Sequence, residues 1–175
     1  MAEKILITGG CRSGKSRHAL KLAEATAGDK IFVATAEALD AEMTERIARH
    51  QQERGKDWQT FEEPLELSKV FSQLEPRSGT LVLDCLTVWI SNQMLRGDSR
   101  EQILKAGRRL IEQCDRMQCR VIFITNEVGA GIVPDNKLAR DFRDLAGEIN
   151  QLVAERCDEV ILMVSGVAMN LKSKL

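Results

Sequence analysis

The residues that point most directly to chemistry lie in the stretch GGCRSGKS, residues 9–16. Gly9 and Gly14 enclose four residues and are followed by Lys15 and Ser16, which is the spacing of a phosphate-binding loop. Glycines let successive backbone N–H groups turn toward phosphate oxygens, and a helix that follows adds the positive end of its dipole. We therefore predict a triphosphate site in which Lys15 reaches the β- and γ-phosphates and the Ser16 hydroxyl binds Mg²⁺. The loop also contains Gly10, Cys11, Arg12 and Ser13.

Acidic residues that end two later apolar runs are candidates for the same site. Asp84 ends the run TLVLD, where nucleotide-binding folds place a carboxylate directed at magnesium. An acid in that position can also cap a helix, but beside Lys15 and Ser16 the metal interpretation is the better one. Thr87 belongs either to the same site or to the next helix. Glu127 follows the run VIFIT, at the kind of strand end where ligands collect in open α/β sheets.

A histidine on a predicted helix supplies a second kind of candidate. His50 and Ile47 fall on one side of a helix predicted over residues 40–54, and Arg46 and Arg54 share roughly that side. His50 is then either a packed, hydrogen-bonded histidine or a nucleophile beside the bound triphosphate. A neutral imidazole nitrogen can attack phosphorus, and neighbouring arginines would stabilise the charge that develops. The spacing leaves both interpretations open.

Apolar runs that alternate with amphipathic segments must position these side chains. Continuous apolar strands separated by helices predict a mostly parallel sheet with helices on both faces, so we expect one α/β domain over residues 1–175. The predicted strands are 4–8, 30–34, 80–84, 120–125 and 159–164, with 58–63 a short strand or an extended link and 167–172 an edge strand. The predicted helices are 15–25, 40–54, 64–74 opened by Pro64, 100–117 and 136–154, the last with Leu138, Phe142, Leu145, Ile149 and Leu152 on one face.

Charge, hydropathy and cysteine content indicate what kinds of molecule this protein binds. A net charge of -1 gives no basic field for nucleic acid or for an anionic membrane. No apolar segment approaches the roughly 20 residues that span a bilayer, and the first strand pattern begins too early for a secretory signal. Five cysteines without a CxxC pair argue against a disulfide framework or a zinc site. We therefore expect a cytoplasmic protein that acts on small molecules.

Four stretches resemble one family: ITGGCRSGKSRHA, RIARHQQERGKDWQTFEEP, LVLDCLT and TNEVGAGIVPDNKLARDFRDLAGEINQ. In this order, over nearly the whole chain, they are similar to the bifunctional adenosylcobinamide kinase/adenosylcobinamide-phosphate guanylyltransferase family of cobalamin biosynthesis. The resemblance implies a RecA-like P-loop domain assembled as a homotrimer. It also implies phosphorylation of adenosylcobinamide by ATP or GTP with Mg²⁺, followed by transfer of GMP from GTP through a guanylylated histidine, which matches His50.

The resemblance also implies further nucleotide contacts beyond the phosphate loop. They fall on Ala34, Thr35, Ala36, Gln51, Gln52, Glu53, Arg54, Glu62 and Asp84. Two other functions stay as alternatives: a kinase that acts only at the γ-phosphate, with a structural His50, and a GTP-binding switch. The sequence has no N-K-x-D motif for guanine, which argues against the switch.

Overall fold

A single mixed sheet organises the residues that the computed structural model describes, which are 3–37, 45, 55, 57–74 and 78–173. The strands are β1 (Lys4–Gly9), β2 (Asp29–Ala34), β3 (Trp58–Glu62), β4 (Gly79–Asp84), β5 (Arg120–Ile124), β6 (Glu159–Val164) and β7 (Val167–Lys172). The helices in this part of the chain are α1 (Lys15–Glu24), α2 (Leu67–Gln73), α3 (Leu86–Arg96), α4 (Arg100–Cys114) and α5 (Lys137–Arg156). The helix predicted over 40–54 lies outside the described residues.

The strand order determines which strand ends lie side by side. The order is β3-β2-β4-β5-β1-β6-β7; β7 runs antiparallel to β6, and every other pairing is parallel. The mostly parallel sheet is therefore confirmed, and the segment at 58–63 is a strand rather than a link. The order also places β5 between β1, which leads into the phosphate loop, and β4, which ends at Asp84.

Side chains alternate between the two faces of the sheet along each strand, and each face packs against a separate hydrophobic cluster. Ile5 and Ile7 pack on the α1 side with Ala19 and Leu20, while the intervening Leu6 belongs to the opposite cluster. That second cluster is built with residues of α2 to α5. The described helices thus cover both faces, as continuous apolar strands predict. None of these helices is both long and apolar enough to cross a membrane.

Helix α2 begins at Leu67, so the prediction that Pro64 opens it is wrong. The Glu63 carboxylate accepts from the N–H groups of Leu65 and Glu66 at 3.0 and 2.8 Å, which closes a turn before the helix. The carbonyl of Leu65 accepts from the Trp89 indole at 2.9 Å. A helix starting at Pro64 would not need those two N–H groups, which lie in its first turn. It would need the Leu65 carbonyl, which accepts from the side chains of Trp89 and Gln93 instead.

Two predictions about the later helices, the end of α4 and the place of Leu138, are also wrong. Helix α4 ends at Cys114 rather than at residue 117, because the chain turns there and the N–H of Met117 donates to the carbonyl of Cys114 at 3.1 Å. Leu138 is 59% exposed and does not join the apolar face of α5. No residue in the first two turns of α5 is fully buried: the half-buried Phe142 packs against the core, and Leu145 is the first buried residue.

Candidate active site

The phosphate loop leaves the carboxyl end of β1 and leads directly into α1. Gly9 has φ +144°, and a Cβ atom there would lie 2.3 Å from the carbonyl oxygen of Met163 on β6. Gly14, at the N-cap of α1, has φ +97°. The carbonyl of Ser13 accepts from the N–H of Gly166, in the β6–β7 turn, at 3.0 Å. Glycine is therefore required at Gly9 by the neighbouring strand as well as by φ.

Lys15 lies inside this loop and is 8% exposed. Its ammonium group donates to the carbonyl of Gly9 at 3.0 Å and to that of Gly10 at 2.6 Å. Both acceptors belong to the turn that would surround a phosphate. The ammonium group is thus held at the loop, where its charge can be redirected to phosphate oxygens.

Ser16 and Asp84 come together across two elements that are far apart in sequence. The Ser16 hydroxyl donates to a carboxylate oxygen of Asp84 at 2.7 Å, joining the start of α1 to the end of β4. A hydroxyl and a carboxylate are hard oxygen donors of the kind that Mg²⁺ uses together with substrate phosphates. No group of three His, Cys, Asp or Glu side chains within the described part of the chain forms a ready-made metal site. The pair therefore fits a magnesium ion whose remaining ligands come from nucleotide and water.

The other predicted contacts differ in their exposure. Thr35 is fully buried, and its hydroxyl both donates to the carbonyl of Cys85 and accepts from its N–H, each at 2.8 Å. Thr35 therefore joins the ends of β2 and β4. Ala34 and Ala36 are half-buried and Glu62 is exposed. Their contacts with a nucleotide stay predictions, and His50 with Gln51, Gln52, Glu53 and Arg54 lies outside the described residues.

Solved structures with other sequences share this arrangement of sheet and loop. An ATPase from the type III secretion system of pathogenic bacteria is 13% identical, with a TM-score of 0.60 over 96% of this chain and 56% of its own. A KaiC-like protein from Pyrococcus horikoshii OT3 is 16% identical, with a TM-score of 0.53 over 91% of this chain and 70% of its own. The fold is that of the RecA-like P-loop NTPases.

Residues 5–171 match the family model described as cobinamide kinase / cobinamide phosphate guanyltransferase. The chain belongs to this family. It is 40% identical to the bifunctional adenosylcobalamin biosynthesis protein CobU of Escherichia coli strain K12, over 96% of this chain and 99% of that protein. It is 41% identical to the bifunctional adenosylcobalamin biosynthesis protein CobP of Pseudomonas aeruginosa, over 97% of each. The resemblance seen in the sequence is confirmed.

The stretch of this cobinamide kinase family member that begins TNEVG links β5 to α5. Asn136 caps α5, because its side-chain oxygen accepts from the N–H of Ala139 at 2.7 Å. Arg140 donates to the carbonyl of Pro134 at 3.0 Å and so fastens the loop to the helix. Glu127 is exposed, and its carboxylate accepts from the N–H of Gly129 at 3.0 Å.

Sequence reasoning missed a hydrogen-bonded ring at the end of β5. The N–H of Asn126 donates to the Thr87 hydroxyl at 2.7 Å, and its carbonyl accepts from the Asn150 amide at 3.2 Å. Thr125 donates to the Asn150 side-chain oxygen at 2.8 Å and lies 3.0 Å from the Thr87 hydroxyl. Thr87 therefore belongs to this ring, not to the Ser16–Asp84 pair. The available signal was a polar residue, Asn150, on the apolar side of α5.

A cavity of about 520 Å³ lies among the helices that cover the opposite face from α1. It is lined by Met94, Asp98, Arg100, Lys137, Asp141, Asp144, Leu145 and Glu148. Several of these charges pair with each other, as Arg100 does with Glu148 and Lys137 with Asp141. None of the lining residues is a predicted site residue, so this cavity is separate from the phosphate loop.

Proposed function

We propose that this protein catalyses two successive reactions of cobalamin biosynthesis. It phosphorylates adenosylcobinamide with ATP or GTP, and it then moves GMP from GTP onto that phosphate to give adenosylcobinamide-GDP and pyrophosphate. The observation that carries the proposal is the 2.7 Å contact between Ser16 and Asp84 beside the buried Lys15, in a chain of the cobinamide kinase family.

The first reaction uses the phosphate loop. Lys15 would exchange its bonds to the carbonyls of Gly9 and Gly10 for bonds to the β- and γ-phosphates. Ser16 and Asp84 would hold Mg²⁺, which would neutralise charge on the phosphates. The substrate hydroxyl oxygen bonds to the γ-phosphorus while the bond to the bridging oxygen breaks. The electron pair leaves with the nucleoside diphosphate, and the hydroxyl proton passes to solvent.

The second reaction needs a nucleophile for the α-phosphorus, and we assign this role to His50. Its neutral imidazole nitrogen bonds to the α-phosphorus of GTP, and pyrophosphate leaves with the electron pair of the broken bond. A phosphate oxygen of adenosylcobinamide phosphate then displaces the histidine. The guanyltransferase named in the family description supports the transfer of GMP, and the route through His50 rests on the motif that His50 matches.

The decisive experiment labels GTP at the α-phosphate and measures what stays on the denatured protein. Wild type, His50→Ala and His18→Ala are compared, since the chain has two histidines. His18 is the necessary control because burial and the nearby Lys21 lower its pKa, which favours the neutral form that could act as a nucleophile. We expect acid-labile, alkali-stable label on wild type and His18→Ala, and none on His50→Ala.

Other patterns would assign the site differently. Label lost only in His18→Ala would move the nucleophile to α1. No label on any protein, together with transfer of the γ-phosphate to adenosylcobinamide, would leave a monofunctional kinase with a structural His50. No transfer of either group would overturn the proposed function.

We further propose a cytoplasmic homotrimer. Two exposed apolar sets support subunit contacts: Val167, Met169 and Leu171 on β7, and Ile132, Val133 and Leu138 before and in α5. Large uncovered apolar side chains commonly mark association surfaces. Sedimentation equilibrium should give a mass three times that of one chain, and a monomeric mass at micromolar concentration would refute the trimer.

A further inference from the structure

We propose that Asn126 contacts the phosphoryl group during its transfer, and that Thr87, Thr125 and Asn150 position it. The inference rests on the proposed phosphoryl transfer and adds a residue to it. The chain leaves β5 between β1 and β4, the two strands that lead to the phosphate and metal site.

The backbone after β5 continues to pair with the phosphate-loop strand. The N–H of Thr125 donates to the carbonyl of Ile7 at 3.0 Å, and the N–H of Glu127 donates to that of Gly9 at 3.1 Å. The two bonds are two residues apart on each strand, which is the spacing of a parallel β-ladder. The chain is therefore still extended at Asn126, which lies level with the start of the phosphate loop.

Alternation along this extended chain gives the direction of the Asn126 side chain. Ile122 and Ile124 belong to the core cluster on the α1 side, whereas Phe123 belongs to the opposite one. Asn126 continues the even-numbered set, so it leaves the sheet on the α1 side. Asp84 pairs in register with Ile124 and leaves β4 on that same side, where it meets Ser16. The Asn126 side chain thus leaves the sheet on the same face as the pair that fits Mg²⁺, two residues beyond the level of Asp84.

The Asn126 amide is half-buried and makes no hydrogen bond to the described part of the chain. Its backbone, in contrast, is held on both sides by the ring. Because Thr125 gives its one hydroxyl proton to Asn150, its oxygen must accept the 3.0 Å bond from the Thr87 hydroxyl. The Thr87 oxygen remains to accept from the N–H of Asn126.

This ring replaces a strand that has already ended. Asp84 is the last residue of β4 and its register partner is Ile124, so no β4 backbone remains to bond the peptide groups of Asn126. Side chains from α3 and α5 bond them instead. The backbone of Asn126 is thereby fixed beyond the end of its neighbouring strand, with its side chain on the face of the sheet that carries Ser16 and Asp84.

An amide donor at this place suits phosphoryl transfer. As the bond between the γ-phosphorus and the bridging oxygen breaks and the bond to the substrate oxygen forms, negative charge is spread over the equatorial oxygens. A fixed N–H group of Asn126 can donate to one of these oxygens. Because an N–H group has no lone pair to offer a cation, this donor adds its bond without displacing Asp84 from the metal.

The test compares Asn126→Ala and Asn126→Asp with wild type, and uses Asn170→Ala on the exposed strand β7 as the matched control. Transfer of the γ-phosphate to adenosylcobinamide should slow about 100-fold in both Asn126 variants, as happens when one preorganised donor is removed. The KM for the nucleotide should change less than about threefold, since the bond forms only in the transition state. Asn170→Ala should match wild type.

A binding measurement separates this inference from the proposed function. ADP and GDP, each alone and with aluminium fluoride as a mimic of the transferring phosphoryl group, are titrated into the same four proteins with Mg²⁺. We expect both Asn126 variants to lose at least tenfold in affinity for the fluoride complexes only. Equal affinities in wild type and Asn126→Ala would overturn the contact. If wild type failed to phosphorylate adenosylcobinamide, the proposed function would fall while this titration still decided the role of Asn126.

The positioning role has its own variant, Asn150→Asp, which keeps the acceptor for Thr125 and removes the donor to the Asn126 carbonyl. We expect transfer to slow about tenfold at an unchanged nucleotide KM, since a misplaced donor loses part of its transition-state bond. Transfer at the wild-type rate by the folded variant would overturn the positioning role.

Discussion

The phosphate loop and the segment at residues 125–127 follow the carboxyl ends of the neighbouring strands β1 and β5, but they are held in different ways. The loop is fixed through its own backbone and that of β6, by the conformations of Gly9 and Gly14 and by the bond from Gly166. The segment after β5 is fixed through the side chains of Thr87 and Asn150, which come from two separate helices.

This difference determines what each region tolerates. A backbone-built loop depends on the absence of side chains at a few positions, while Lys15 and Ser16 would exchange their present partners for the ligand. In the segment after β5, polar side chains hold the backbone and serve the site indirectly. We therefore expect a single substitution in the loop to change either stability or catalysis. A single substitution around residues 125–127 should change both.

The largest effect should come from adding a methyl group to the loop. Gly9→Ala places a Cβ atom 2.3 Å from the carbonyl oxygen of Met163, so the loop and β6 must move apart. We expect a loss of about 4 kcal/mol in the free energy of unfolding, as for other strained core substitutions. Gly10→Ala is the control, because nothing lies within 4 Å of its Cβ position. Urea denaturation measures both, and equal losses would contradict the role of β6.

The next effect concerns Ser16, whose hydroxyl would bind the metal ion. Ser16→Ala removes the hydroxyl that meets Asp84, so both transfer reactions should slow about 100-fold at saturating Mg²⁺. Ser16→Thr keeps the hydroxyl and should stay near wild type. Stability should change by no more than about 1 kcal/mol, the net value of one hydrogen bond. Steady-state assays over a Mg²⁺ series check this, and full activity of Ser16→Ala would remove Ser16 from the metal site.

At the segment after β5, a change that is conservative in shape should affect stability and catalysis together. Thr87→Val leaves the N–H of Asn126 without its 2.7 Å acceptor in a partly buried setting. We expect a loss of about 2 kcal/mol in unfolding free energy, the usual cost of an unpaired buried group, and slower phosphoryl transfer by the folded protein. Thr87→Ser should restore both. A stability loss with an unchanged transfer rate would break the coupling.

The smallest effect is a difference between the cysteine of the loop and the buried cysteines elsewhere in the chain. Cys11 in the loop is exposed, whereas Cys85, which follows β4, is buried. Burial raises the pKa of Cys85 and of Cys157 to about 12. At pH 8 a thiol reagent should therefore modify Cys11 rapidly in the native protein and all five cysteines only after unfolding. Rapid native modification of Cys85 would contradict its burial.

The same shifts predict the direction of alkaline stability. A buried thiol whose folded pKa of about 12 exceeds the ordinary value of 9.0 stabilises the fold below pH 9. That contribution should be lost progressively as the pH rises from 9 toward 12, because the unfolded chain releases its proton first. Urea midpoints measured at several pH values above 9 should fall, and Cys85→Ala should reduce the slope.

Much of the fold could be predicted because its signals are local. The apolar runs that became β1, β4 and β5 and the glycine spacing of residues 9–16 each lie within a few consecutive residues. Asp84 could be added because a strand end has a defined place in a parallel sheet. The start of α2 and the end of α4 were misplaced because contacts with Trp89 and a local turn outweigh helix propensity.

By itself, the sequence determined the class of fold, the phosphate loop and the family, since each depends on the order and spacing of residues along the chain. Only the tertiary structure decided that Ser16 meets Asp84 and that Thr87 and Asn150 hold the peptide groups of Asn126. These contacts join residues from different elements, and the strand order that places β5 between β1 and β4 brings them together. The strand order depends on the packing of the whole sheet, so it cannot be predicted from any short stretch of sequence.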